Sequence, residues 1–277
     1  MASLGGFALY PRLDMATLVC FHAHPDDESI STGGTMARAA AAGHRVVLVV
    51  ATDGAHGETP TDLATNESLA DRRSAETDRS AQALGISKVY RLGYTDSGMT
   101  GWTQNNEPQA FMNAPVELAA QRLADILAAE SASVLTVYDW HGNYGHPDHI
   151  AIHRVGLRAA EIADVEHVYE ATMNRDAVVR FMELARSGGQ EVEFDPNDTD
   201  DGNPFGMPEA DLTTAIDVSG FIAAKRASMA CHASQISDSS FFLQMPEEAF
   251  AAAFGTEWFI HRGVPGGITE DWLAGLA

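Results

Sequence analysis

The sequence predicts an α/β protein whose sheet is doubly wound and mostly parallel, with helices on both faces. Three observations carry this. Strand-like and helix-like stretches alternate from Thr17 to about Arg186, the pattern of parallel strands joined by helical crossovers. The stretch 45–51 reads RVVLVVA, apolar without alternation, as a strand covered on both faces should be. Helical stretches stop at Gly43 and Gly85, where glycine accepts the left-handed end of a helix. The arrangement is Rossmann-like, with right-handed crossovers and a ligand site beyond the carboxyl ends of the strands, where strand order reverses.

In chain order, residues 1–14 read as an N-terminal arm and Thr17–His22 as the first strand. An Ala-rich helix spans 31–43, the second strand 45–51, and a Gly- and Pro-containing loop leads to a helix over 66–84. A short strand at 89–93, a polar turn-rich segment, a helix over 115–131 opened by Pro115, and the fourth strand Val134–Tyr138 follow. A helix over 149–163, a fifth strand at His167–Thr172 and a helix to about Arg186 complete the alternation. Residues 187–211 then turn rich in Gly, Pro, Asp and Asn and read as a solvated acidic loop or lid. Its tract 195–202 fails as a calcium loop, because Thr199 and Pro208 fall where carboxylates are needed. A strand at 213–218, helices at 221–233 and 247–254, and a closing strand at 258–261 end the chain. The expected division is an arm (1–14), a Rossmann-like metal-binding catalytic core (15–187), and a segment (188–277) giving a C-terminal lid or extension and completing elements of the same domain.

At 277 residues the chain can bury a full core. Its net charge of −22, from 39 acidic and 17 basic residues, argues against nucleic acid or an anionic membrane as partner, since both need clustered Lys and Arg. The first residues lack the basic and apolar regions of a signal peptide, and no apolar run approaches a membrane span. Cys20 and Cys231 are far apart and read as free thiols of a reducing compartment. A soluble, cytoplasmic protein with a small-molecule substrate is expected, and a homo-oligomer is left open.

Two short stretches carry the chemistry. Ala23-His24-Pro25-Asp26-Asp27-Glu28 follows the first strand, and Tyr144-Gly145-His146-Pro147-Asp148-His149 follows the fourth. Each holds His-Pro-Asp. Proline forces the histidine before it out of the helical region and suits the first turn of a helix. Each motif should therefore be a strand end, a sharp bend and a helix start. Neighbouring first and fourth strands would bring together His24, His146, His149, Asp26, Asp27 and Asp148, a mixture that suits a divalent metal of the zinc kind. Spacing alone leaves open which are ligands and which are acid–base groups. There is no Gly-x-Ser-x-Gly elbow, no Gly-x-Gly-x-x-Gly after the first strand, and no cysteine near a motif. Serine, nicotinamide and thiol chemistries are disfavoured accordingly. His44, His153 and His167 stand alone and receive no role.

With these residues the chain resembles the LmbE-like (PIG-L) family of N-acetylglucosaminyl deacetylases. The likeness rests on HAHPDDES and YGHPDH, with weaker pieces at RRSAE (72–76), LGYTDSGM (92–99) and KRASMACHASQ (225–235), and spans most of residues 15–262. Members hydrolyse the N-acetyl group of amino-sugar conjugates, including those of mycothiol metabolism and glycosylphosphatidylinositol precursors. The resemblance implies a Zn2+ ion held by His24, Asp27 and His149, though the same ligands suit Fe2+. It makes Asp26 the general base, with His146, oriented by Asp148, and Tyr144 stabilising the oxyanion. It assigns Arg73, Asp96 and Met99 to the sugar. Trp140-His141-Gly142-Asn143 replaces the Pro-Asn-Gly-Gly of mycothiol-type members, and Ala55 stands where glutamate is common. Trp140 and His141 are expected to reshape the pocket, with His141 approaching the metal, and His232 either reaches the pocket rim or packs internally. The alternatives are a conjugate amidase or natural-product deacylase taking a larger acyl group and, more distantly, a metal-binding domain without catalysis.

Overall fold

The computed structural model describes residues 15–189, 194–197 and 199–277. The expected arm at 1–14 lies outside them, as do residues 190–193 and 198 of the acidic loop. The elements run β1 (Thr17–His22), α1 (Asp27–Ser31), α2 (Gly33–Ala41), β2 (Arg45–Thr52), α3 (Leu69–Leu84), β3 (Lys88–Tyr94), α4 (Val116–Ala129) and β4 (Val134–Tyr138). Then come α5 (Gly142–Gly145), α6 (Pro147–Ala163), β5 (His167–Thr172), α7 (Arg175–Ser187), β6 (Thr214–Asp217), α8 (Ile222–Cys231), α9 (Phe241–Gln244), α10 (Glu247–Phe254) and β7 (Thr256–His261).

The strands form one sheet in the order β3-β2-β1-β4-β5-β7-β6. The first five are parallel, and β7 runs antiparallel to both its neighbours. The closing strand thus slots between β5 and β6. β1 is completely buried, and its alternate side chains feed two cores. Val19 and Phe21 join Leu123, Leu127, Ile152 and Val155 of α4 and α6 on one face. Leu18 and Cys20 join Met36, Leu84, Ile216 and Phe259 on the other. Helices cover both faces, as the unbroken apolar run of β2 predicts. Where α6 crosses β4, a Cβ on Gly156 would lie 2.3 Å from Val137 Cγ1, so glycine permits that close approach.

The helix expected over 31–43 is α2, which starts at Gly33 after a separate short α1, because Thr32 leaves the helical region at φ −134°. Its hydroxyl sits 2.8 Å from His22 Nε2. The new N-terminus is met from across the sheet: Glu257 of β7 accepts the backbone N–H groups of Gly34 and Thr35, each at 2.8 Å. Lys225 Nζ lies 2.5 Å from the same carboxylate, and both side chains are buried. A buried carboxylate taking two amide donors and an ammonium ion is compensated; with one partner removed it is not. Glu257→Gln should lower the unfolding free energy by about 3–5 kcal/mol, read as a lower urea midpoint at unchanged slope. An unshifted midpoint would show that the pair does not hold α2 and α8 to the sheet.

Candidate active site

β1 and β4 are neighbours, paired from Leu18–Val134 to Cys20–Thr136, so both motifs leave the sheet side by side at its carboxyl end. The rings of His24, His146 and His149 lie within 4.5–5.3 Å of one another, centroid to centroid. Asp27 Oδ2 is 3.2 Å from His24 Nδ1 and 3.3 Å from His149 Nε2. Nitrogens of the three histidines approach within 4.8 Å of one another, and so do atoms of His24, Asp96, His146 and Asp148. Asp27 belongs to neither of these tighter sets; its single oxygen bridges two imidazoles. Tyr138 stacks on His149 at 4.3 Å and meets His22 Nδ1 at 2.8 Å, which ties the floor of the site to both strands.

The same tripeptide folds differently in the two motifs. In the second, Pro147 opens α6 and His146 Nδ1 accepts the Asp148 amide at 3.1 Å, so the ring proton of a neutral His146 belongs on Nε2. In the first, Asp26 takes φ 114°, a region that non-glycine residues enter only under constraint. The constraint is visible. Asp26 N donates to Glu28 Oε2 at 3.0 Å, while Arg73 Nη2 donates to Pro25 O and, at 3.1 Å, to Asp26 Oδ2. Glu28 is itself locked: His232 Nε2 lies 2.6 Å from its Oε1, and the Ser80 hydroxyl donates to that oxygen at 2.5 Å. The sequence reading missed Glu28 and split on His232, which packs internally against Glu28. The signal available was an acid in the motif itself, but its partners come from α3 and the end of α8.

The second motif is shaped by Asp139, whose Oδ1 accepts the amides of His141 and Asn143 at 3.2 and 3.0 Å and whose Oδ2 accepts the Thr172 hydroxyl at 2.5 Å. Gly142 (φ +71°) faces α6 so closely that a Cβ would sit 2.3 Å from His149 Cβ. The acidic loop seals this turn: Asp200 N donates to Tyr144 O at 2.8 Å and Gly206 N to Asn143 O at 2.7 Å.

Three sequence expectations need correction. Asp148 does not orient His146 through its carboxylate. Its Oδ2 meets His24 Nε2 at 3.2 Å and accepts the Ser97 amide at 2.8 Å, with the Ser97 hydroxyl on Oδ1. Residue 148 lies in the first turn of α6, which aims it back toward β1. His141 does not approach the cluster; it is buried between Asp201 (3.5 Å) and Asp139 (3.7 Å). Trp140 is 51% exposed, and neither it nor His141 lines the cavity. Arg73, Asp96 and Met99 do line it, but the Arg73 head is held by Gly54 O (2.7 Å), Pro25 O and Asp26. Asp96 accepts the Gly98 and His56 amides at 2.8 and 3.2 Å and stands 3.5 Å from His24.

The electrostatics follow from burial and crowding. Burial opposes a charge on His24, but Asp148, Asp27 and Asp96 outweigh it and hold its pKa well above the usual imidazole range. Asp27 is likewise desolvated, yet His149 and His24 keep it well below the ordinary carboxyl value. Desolvation pushes Asp26 up to about 6, with the Arg73 charge opposing and the Asp27 charge adding. Desolvation, then the neighbouring His24 and His149, push His146 down to about 2. Burial raises the Tyr144 hydroxyl, so it remains a proton donor.

The donors fit a divalent cation. Both ring nitrogens of His149 are buried; Nδ1 has no hydrogen-bond partner and Nε2 has only the Asp27 oxygen at 3.3 Å, short of a well-formed hydrogen bond, which is costly for an imidazole unless something else binds it. Two imidazoles sharing one carboxylate oxygen make a set that leaves positions open, as a catalytic zinc needs. An open α/β sheet with such a cluster past its switch point defines a metallohydrolase-type site.

The chain belongs to the PIG-L family: the family profile, described as GlcNAc-PI de-N-acetylase, matches residues 19–160. It is 40% identical to the 1D-myo-inositol 2-acetamido-2-deoxy-alpha-D-glucopyranoside deacetylase of Acidothermus cellulolyticus, over 88% of each chain. Against the enzyme of that name from Geodermatophilus obscurus the identity is 34%, over 94% of this chain and 97% of the relative. The fold resembles that of N,N'-diacetylchitobiose deacetylase from Pyrococcus horikoshii (TM-score 0.56, 24% identity, 91% of this chain and 85% of that one).

The backbone at Asp26 is open to a direct test. A residue at φ 114° stores roughly 1–3 kcal/mol that glycine would not. Comparing metal-free proteins, Asp26→Gly should raise stability by about 1 kcal/mol after the entropy glycine adds to the unfolded chain. A lower melting temperature would mean that the Arg73–Asp26 contact outweighs the strain.

Proposed function

We propose that this protein is a zinc-dependent N-deacetylase that cleaves the N-acetyl amide of an N-acetylglucosamine-type amino sugar or its conjugate. The observation that carries the reading is His149, buried with no well-formed hydrogen bond at either ring nitrogen and with Nε2 facing, at 3.3 Å, the Asp27 oxygen that also meets His24. The names of the relatives, deacetylases of a glucosaminyl inositol, support the substrate class. His24, Asp27 and His149 would hold the cation, and Fe2+ suits them as well. When bound it supplies Lewis acidity, polarising the amide carbonyl and acidifying water.

The chain's own residues supply the rest. Asp26, with a pKa of about 6, is mostly ionised at neutral pH and basic enough to take the proton of the attacking water. Arg73 fixes the carboxylate and prevents it from rotating away. Neutral His146 presents an N–H from Nε2, and Tyr144 a hydroxyl, to the negative charge that develops on the carbonyl oxygen. Asp148 and Asp96 hold the ring of His24, the part of a carboxylate behind a metal-ligating histidine. Asp96 and Met99, on the cavity wall, are read as sugar contacts. Residues 15–187 are taken as the catalytic core and 188–277 as its completion and lid, in a cytoplasmic enzyme.

Acetate release from N-acetylglucosaminides should disappear on chelation and return with Zn2+. Asp26→Asn should lower kcat by about 10²–10⁴ while the bound metal, measured by mass spectrometry, stays at the wild-type level. Turnover retained in that variant would refute the assigned base. His146→Ala should cost about 10²–10³ in kcat with little change in KM; a loss confined to KM would make it a binding residue.

A further inference from the structure

The cavity above the site measures about 1330 Å³, beyond the roughly 300–1,000 Å³ of an ordinary small-molecule pocket. It is divided by chemistry. Among the described residues, every titratable side chain on its wall lies at or before His149 in the chain. From Met173 to Trp258 the described lining residues include no acid, base or thiol, and the polar side chains among them are Asn174, Gln244 and Thr256. α7 turns Val178, Phe181, Met182 and Ala185 to the cavity, a spacing that puts them on one helical face. Its Arg180 is occupied elsewhere, with Glu209 at 2.6 Å. α9 and α10, with Met245 between them, supply Phe242, Met245, Ala253 and Phe254.

This apolar branch is continuous with the reacting centre. It starts at Ile30, four residues past Asp26; Ile30 and Phe242 both pack against the apolar cluster that contains Met245. At its mouth Phe181 is 39% and Phe241 67% exposed, aromatic surface left facing water unless a ligand covers it. A fully hydroxylated aglycone would lose its water against side chains that offer it almost no partner. Since the deacetylase reading assigns only an acetyl group to the amide, the spare volume falls to the rest of the substrate.

Resting on that reading, we propose that the natural substrate is an amphipathic N-acetylglucosaminide whose aglycone carries an alkyl or aryl body, seated in the branch walled by α7, α9 and α10. The sugar stays at the charged end, where the amide reaches the cluster.

The test is a series on the zinc-loaded enzyme: methyl, butyl and octyl glycosides of N-acetylglucosamine, all below micellar concentration, with acetate release as readout. kcat/KM should rise at least tenfold from methyl to octyl, chiefly through KM. Ala253→Trp, which fills the branch, and Phe181→Glu, which places a charge at its mouth, should each collapse the octyl-to-methyl ratio. The second variant keeps the test alive if the first does not fold. A flat series overturns the proposal, and so does a gain seen only when the octyl chain is moved to the acyl group in methyl N-octanoylglucosaminide. If no glycoside is hydrolysed, the deacetylase reading fails by itself. Calorimetric binding of octyl against methyl glycoside then decides the branch, supported by tighter octyl binding that Ala253→Trp removes and overturned by equal affinities.

Discussion

The parallel pairing of β1 with β4 is the constraint on which the site depends. Adjacent strands lie about 4.8 Å apart, so two loops separated by some 120 residues leave the sheet as neighbours. That adjacency lets one Asp27 oxygen, in the loop after β1, reach His149 beyond β4 as well as His24. The pairing exists because the chain builds β1, β2 and β3 outward in one direction and then crosses back through α4 to place β4 on the other side of β1. The packing of α4 against α6 over Val19, Phe21, Leu135 and Val137 holds that reversal in place.

Around this junction the interior is unusually rich in buried carboxylates, and each is held by donors from elsewhere in the fold. Asp139 gathers two amides and a hydroxyl, Glu28 an amide, two hydroxyls and His232, and Glu257 two amides and Lys225. A buried anion with such partners rigidifies its surroundings; without them it would be neutralised or expelled. The result is graded. Asp27 is stabilised as an anion by two imidazoles, while its chain neighbour Asp26 shares the burial, is opposed chiefly by Arg73 and less by His232, and becomes a far better base. Two adjacent residues of one type acquire different acidities because the turn points them at different neighbours.

That turn explains how much of the site the sequence could reveal. The strand ends, the bends and the co-location of histidine with carboxylate follow from proline's effect on its neighbours and from the apolar runs before each motif. Equivalence between the motifs does not follow. Pro147 begins a helix directly, whereas after Pro25 the chain passes through φ 114° at Asp26 before α1 starts. The difference comes from Arg73 and Glu28, whose positions depend on α3 and on His232. Asp148 shows the same limit. Its neighbour His146 is the obvious partner in sequence, yet the first turn of α6 carries the carboxylate across to His24, in the bend after β1.

The amino-acid sequence by itself determined the α/β class, the strands that carry the motifs, and the residue types available for holding a cation and moving a proton. These are consequences of local preferences: apolar periodicity, glycine at helix ends, proline before a first turn. Only the tertiary structure decided that β7 inserts between β5 and β6, which carboxylate backs which imidazole, and that the wall beyond the cluster is apolar. Those are settled by side chains far apart in the chain, whose burial and pairing depend on packing that no local pattern encodes.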